Sequence, residues 1–110
     1  MPITTESYES NFLCVVHPGE ILGEELDELG ISARELARQI KVPANRITQI
    51  VRGERGISGD TALRLGHWFG MSPEFWMNLQ KTYELNLARE QVGAKVDRLP
   101  QREQSKEAAE

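Results

Sequence analysis

Ala44, Asn45, Arg46, Thr48 and Gln49 lie within six positions of one another and carry side chains of the kinds that read nucleic acid. Arginine pairs bidentately with guanine, asparagine and glutamine pair with adenine, and the methyls of alanine and threonine pack on the thymine methyl. Ile47, Ile50 and Val51 interleave with them at spacings of three and four. On a helix that spacing turns the aliphatic set inward and the polar set outward. The same pattern also describes an ordinary solvated helical face, so its neighbours decide between the two.

Immediately upstream, Ala33, Leu36, Ala37 and Ile40 draw a second apolar stripe at helical spacing. Ser32 precedes that stripe and Glu35 follows three residues later, the capping-box pattern in which each side chain satisfies the other's free backbone N–H. This helix should stop near Lys41, because Val42 precedes Pro43 and a residue before proline is pushed out of the α region. Pro43 suits the first positions of the next helix, and Gly53 ends it as a residue free to turn left-handed. Two short helices joined by so tight a turn have helix-turn-helix geometry, in which the second helix lies in the DNA major groove.

Charge is distributed to match. The whole chain of 110 residues carries a formal −4, which by itself gives no hint of a nucleic-acid partner. Residues 1–30, however, hold Glu6, Glu9, Glu20, Glu24, Glu25, Asp27 and Glu28 and no lysine or arginine. Residues 31–64 hold Arg34, Arg38, Lys41, Arg46, Arg52, Arg55 and Arg64 against Glu35, Glu54 and Asp60. Positive charge thus gathers on the helix pair and its flanks, where phosphate contacts are needed. Arg52 and Arg55 lie in a glycine-rich loop that either meets the phosphate backbone or is plain solvated surface.

The remainder reads as support. Residues 1–16 form an N-terminal arm with a short apolar run at 12–16, either a pairing strand or a cover for the core. Pro18, the acids near it and Gly30 bound a helix whose Leu22, Leu26 and Leu29 make the inward stripe. His17 is the residue that starts this helix rather than a metal ligand, since no second ligand lies at a metal-binding spacing. Ala62, Leu65, Gly66 and Phe69 mark a fourth helix, and His67 on its flank is structural. Ser72 and Pro73 open a fifth, which carries Phe75, Trp76, Leu79, Tyr83 and Leu87. That is more aromatic area than a terminal helix on a small domain needs. Trp68, Trp76, Leu79 and Tyr83 are therefore candidates for a two-fold dimer face as well as for the core. Residues 17–90 make the domain, and the polar stretch 91–110, interrupted by Gly93 and Pro100, is expected to be a disordered tail.

No catalytic constellation, phosphate-binding glycine loop or metal cluster stands out, so no enzyme activity, cofactor, metal or small-molecule substrate is expected. The single cysteine, Cys14, suits a reducing compartment. No apolar run approaches membrane-spanning length and the start lacks the basic character of a signal peptide. A soluble cytoplasmic protein without a membrane partner is expected.

With these residues laid out, the chain resembles the HigA (VapI-like) antitoxin family, within the Xre/Cro/CI group of helix-turn-helix proteins. HPGEIL at 17–22, LARQIKVPANRITQIVRGERGIS at 36–58, TALRLGHWFG at 61–70 and SPEFWMNLQKTYEL at 72–85 carry the resemblance. It implies an all-α, five-helix, lambda-repressor-like domain that binds a palindromic operator as a homodimer, represses its own operon and neutralises a HigB toxin, an RNase of the RelE type. It implies that Ala44, Asn45, Arg46, Thr48 and Gln49 face bases and that Ser32, Arg34, Arg38, Arg52 and Arg55 hold phosphates. One departure stands out: Pro43 occupies the position where such proteins usually carry a Ser or Thr cap for the reading helix. Two alternatives remain open at this point. One is a stand-alone Xre-type regulator without a toxin. The other is a protein-interaction module that has lost DNA binding, to which the acidic first helix would lend itself.

Overall fold

A computed structural model describes residues 15–103, which form five helices and no strand: α1 (Pro18–Leu29), α2 (Ala33–Ile40), α3 (Ala44–Val51), α4 (Gly59–Phe69) and α5 (Pro73–Asp97). Residues 12–14 of the apolar run, Cys14 included, fall outside the described residues, and Val15 and Val16 have no regular secondary structure. The all-α, five-helix architecture is the one that the apolar spacing predicts.

Each helix buries one stripe. Leu22 and Leu26 of α1, Leu36, Ala37 and Ile40 of α2, Ile47 and Ile50 of α3, Ala62 and Leu65 of α4 and Trp76 of α5 form one core, together with Ile57 from the loop before α4. Leu29 does not join it and is 54% exposed. The helix ends at that residue, and Gly30 then turns left-handed so that Ile31, hydrogen-bonded to the Leu26 carbonyl, packs on the core in its place. Trp76 belongs to the core as well, with no exposed surface at all. A side chain already enclosed by its own domain has nothing left to offer a second subunit, which removes it from the candidate dimer face.

The capping box expected at α2 forms only in part. Ser32 Oγ accepts the Glu35 N–H at 3.0 Å, but the Glu35 carboxylate turns away from the Ser32 backbone to receive Arg38 and Gln39. The full reciprocal box instead forms at α1, where His17 Nδ1 accepts the Gly19 N–H at 2.9 Å and Glu20 reaches back to the His17 N–H. α1 is pressed so close to α3 that a β-carbon on Gly19 would lie 1.8 Å from the Ile50 carbonyl oxygen. Only glycine fits there.

α5 is longer than the sequence reading allows. It runs through Asp97, so the first residues of the expected tail are helical. Gln91, Ala94, Lys95 and their neighbours are adequate helix formers and a single Gly93 costs only about 1 kcal/mol, so nothing stops the helix before the approach to Pro100. Residues beyond 103 lie outside the described part.

Candidate nucleic-acid interface

α3 is the centre of the site. Ile47 and Ile50 are fully enclosed on its inner side, and at roughly 100° per residue the middle of the opposite side falls between Thr48 and Gln49, with Asn45 and Arg52 beside them. Asn45 and Arg52 are exposed, and Ala44, Thr48 and Gln49 are half-buried. Thr48 donates to the Asn45 carbonyl at 3.4 Å, and Gln49 Oε1 accepts from Arg55 Nε at 3.0 Å. That second bond joins the outer face of α3 to the following loop.

Arg46 is placed differently from its four companions. It stands on the flank of α3 and its guanidinium pairs with Asp60 of α4 at 2.5 Å. Asp60 also receives Arg64, and Arg64 donates to the Ile40 carbonyl at 2.7 Å at the end of α2. Hydrogen bonds from Arg64 and then Arg46 hold the Asp60 carboxyl below its usual range. This network ties α2, α3 and α4 together at the mouth of the turn, so the Arg46 guanidinium is engaged in holding α3 against α4.

The candidate phosphate-holding residues are all exposed: Ser32, Arg34, Arg38, Arg52 and Arg55. Arg34 and Arg52 make no ion pair among the described residues. Arg38 is engaged by Glu35, whose carboxyl is lowered to about 2 by the hydrogen bonds from Arg38 and Gln39. Of the remaining dimer candidates, Trp68 is half-buried and its indole N–H donates to Gln39 Oε1 at 2.8 Å, Leu79 packs half-buried on the core, and Tyr83 lies edge-on to His17 with ring centroids 4.7 Å apart.

Two long-range hydrogen bonds beside the site escape a reading of the sequence. Arg64 reaches Ile40 across 24 residues. Gln80, buried on α5, accepts the Ile57 N–H at 2.7 Å across 23 residues. Each residue has a local partner one turn away, Asp60 for Arg64 and Glu84 for Gln80, but the long-range bond leaves no signal, since a polar residue at a helical spacing looks the same whether its further partner is solvent or a distant backbone group. Among the described residues no group of three His, Cys, Asp or Glu side chains could hold a metal ion, and no helix is long and apolar enough to cross a membrane.

A tight helix pair with one buried and one polar, cation-flanked face defines the class: the chain belongs to the helix-turn-helix family, whose profile matches residues 22–76. Within that class it belongs to the HigA (VapI-like) antitoxins, a group of regulators rather than enzymes. It is 47% identical over 81 residues to virulence-associated protein I of Dichelobacter nodosus, covering 73% of this chain and 75% of that one. Its fold is similar to a HigA-family addiction module antidote protein from Coxiella burnetii, at 46% identity and a TM-score of 0.78, covering 79% of this chain and 96% of the other. It is equally similar to the Pseudomonas aeruginosa antitoxin HigA, solved with the higBA promoter, at 46% identity and a TM-score of 0.77 over 81% of this chain and 98% of that one.

Proposed function

We propose that the protein is an antitoxin that binds operator DNA as a homodimer through α3, represses its own operon and neutralises a HigB-type RNase toxin. The observation that carries the DNA-binding part is the outer face of α3. Asn45, Thr48 and Gln49 stand there as base-reading groups, with Ala44 and Arg46 at its two edges and Arg52 and Arg55 following directly. The relative from Pseudomonas aeruginosa that was solved with a promoter supports the same use of this fold. Ser32, which caps α2, and Arg34 and Arg38 within it are the candidates for further phosphate contacts, and Trp68, Leu79 and Tyr83 are the candidates for the two-fold contact. The toxin rests on the family alone. A toxin that acts on RNA is expected to be basic, and the exposed acids of α1 complement such a partner.

The test is a titration of the protein against its own upstream promoter and a scrambled duplex at two salt concentrations. Preference for the promoter with a steep salt dependence is the expected result. Asn45→Ala should then cost about 1–3 kcal/mol on the promoter and relax specificity at one base step, whereas Arg52→Ala should weaken both duplexes and flatten the salt slope by about 1. Equal, weak binding of both duplexes would sink the operator reading. Co-expression with a HigB-type toxin, followed by size exclusion, tests the partner separately: co-elution is expected, and separate elution would remove the toxin from the reading.

A further inference from the structure

The loop between α3 and α4 is fastened at both ends. At the first, Gly53 and Glu54 donate to the Ile50 and Gln49 carbonyls at 2.9 and 2.8 Å. At the second, the Ile57 side chain is sunk in the core and its N–H donates to Gln80 Oε1 at 2.7 Å. Between those points Arg55 is exposed, whereas Arg52 lies just before the first and its N–H is held by the Thr48 carbonyl of α3 at 3.1 Å. The loop backbone lies directly on the Gln80 amide: a β-carbon on Gly56 would come within 2.7 Å of Nε2, 2.9 Å of Oε1 and 3.0 Å of the amide carbon.

The amide itself is oriented. Nε2 donates to Glu84 Oε2 at 2.7 Å, one turn further along α5, so the donor end points to the carboxylate and the acceptor end to the loop. The result is a continuous path from the exposed side of α5 to the reading helix. It runs from Glu84 to Gln80, from Gln80 to the Ile57 N–H and the Gly56 backbone, and from the adjoining Arg55 to Gln49 on α3.

We propose that Gln80 is a positioning residue for DNA binding, one that sets where Arg55 stands relative to Arg52 and α3 without touching DNA itself. The inference rests on the DNA-binding reading above, and it concerns a residue in α5, outside the helix pair. Leucine at position 80 fills a similar volume but leaves the Ile57 N–H unpaired and the loop unanchored. Glutamate keeps the acceptor but loses the donor and sets a second carboxylate against Glu84. Leucine therefore frees the loop, and Arg55 then no longer meets the phosphates together with Arg52, whereas glutamate keeps the loop anchored.

The readout is the slope of log Kobs against log salt, which falls by about 0.9 for each phosphate the protein ceases to neutralise. Gln80→Leu is expected to lower the slope by roughly 1 and affinity by about tenfold at moderate salt. Gly56→Ala, which pushes the loop off the same amide, is expected to do the same and serves where Gln80→Leu does not fold. In an Arg52→Ala/Arg55→Ala background neither change should lower the slope further. A wild-type slope in a folded Gln80→Leu or Gly56→Ala protein overturns the proposal, and so does a further fall in the double-alanine background. Slopes are measured on the scrambled duplex as well as the promoter, so a wild-type protein that shows no promoter preference overturns the operator reading and leaves the test of Gln80 intact.

Discussion

α1 begins under a complete reciprocal cap, whereas α3, which carries the candidate base-reading residues, begins at Pro43 with no side-chain oxygen on its free N–H groups. The two helices are held by different means. α1 is locally well specified, with His17, Pro18 and Glu20 all favouring a helix start at one place. α3 has only eight residues, too few to persist alone in water. Its order comes from Ile47 and Ile50 in the core, from the Arg46–Asp60–Arg64 network and from the α1 backbone at Gly19 set against the Ile50 carbonyl. A helix fastened from behind can leave its outer side free for a ligand. The locally strong helix is the wall that the locally weak one leans on.

If that contrast holds, the largest loss comes from behind α3. Ile47→Ala removes a fully enclosed side chain and should destabilise by about 2–5 kcal/mol, measured by denaturant unfolding. A loss under about 1 kcal/mol would mean that α3 is held by its own sequence and not by the core.

Next comes the cap of α1. His17→Ala removes the acceptor for the Gly19 N–H and the packing against Tyr83, and should cost about 1–2 kcal/mol at pH 8. The wild-type protein should also be sensitive to pH here. Burial lowers the His17 pKa below its ordinary 6.5, partly opposed by the Glu20 carboxylate, and an Nδ1 that accepts a hydrogen bond must be unprotonated. The unfolded chain therefore binds more protons than the folded one between the two pKa values. Stability is complete above pH 6.5 and is lost as pH falls through the lowered folded value. His17→Asn keeps a cap oxygen, and the part of the pH dependence that lies in this window should vanish. If it persists unchanged, another group is responsible.

The helix pair was legible in the sequence because its signals are local: apolar residues at three and four, a serine before each of α2, α4 and α5, and glycine or proline at the breaks. What was not legible depends on pairs far apart in the chain. Trp68 and Trp76 are the same residue type on adjoining helices, yet one is half-buried and bonded to Gln39 while the other has no exposed surface. Only the packing of α4 on α5 separates them. Arg46 looked like its neighbours on α3 until Asp60 was placed beside it. Glu35 had the spacing of a capping box, but the basic and amide groups one turn ahead compete for the same carboxylate and win it. Gly93 looked like a break, but a single glycine weakens a helix by too little to end it.

The turn inside the helix pair provides a smaller test of where α3 gets its order. Lys41 closes α2 at φ 58°, the one non-glycine residue in the left-handed region among those described. A side chain is strained there, although glycine would gain back more freedom in the unfolded chain. Lys41→Gly should stabilise by roughly 0.5–1 kcal/mol, seen as a higher denaturation midpoint. A loss would show that the lysine side chain makes contacts that outweigh its backbone strain.

The smallest effect is expected where the contrast between α1 and α3 is sharpest. Pro43→Ser would give α3 the side-chain oxygen it lacks, and the backbone at this position, φ −61° and ψ 144°, already has the extended geometry of a cap. A serine cap is worth about 1 kcal/mol relative to a residue without one. Removing proline, however, frees the unfolded chain at a position whose native φ the ring fits without strain, a loss of about 0.4–1 kcal/mol. The two terms nearly cancel, so the net change in unfolding free energy should stay within about 0.5 kcal/mol. A gain well above that would show that α3 is limited by its own start after all. A comparable loss would mean that the rigidity of the turn at Pro43, and not the core behind α3, sets the angle between the two helices.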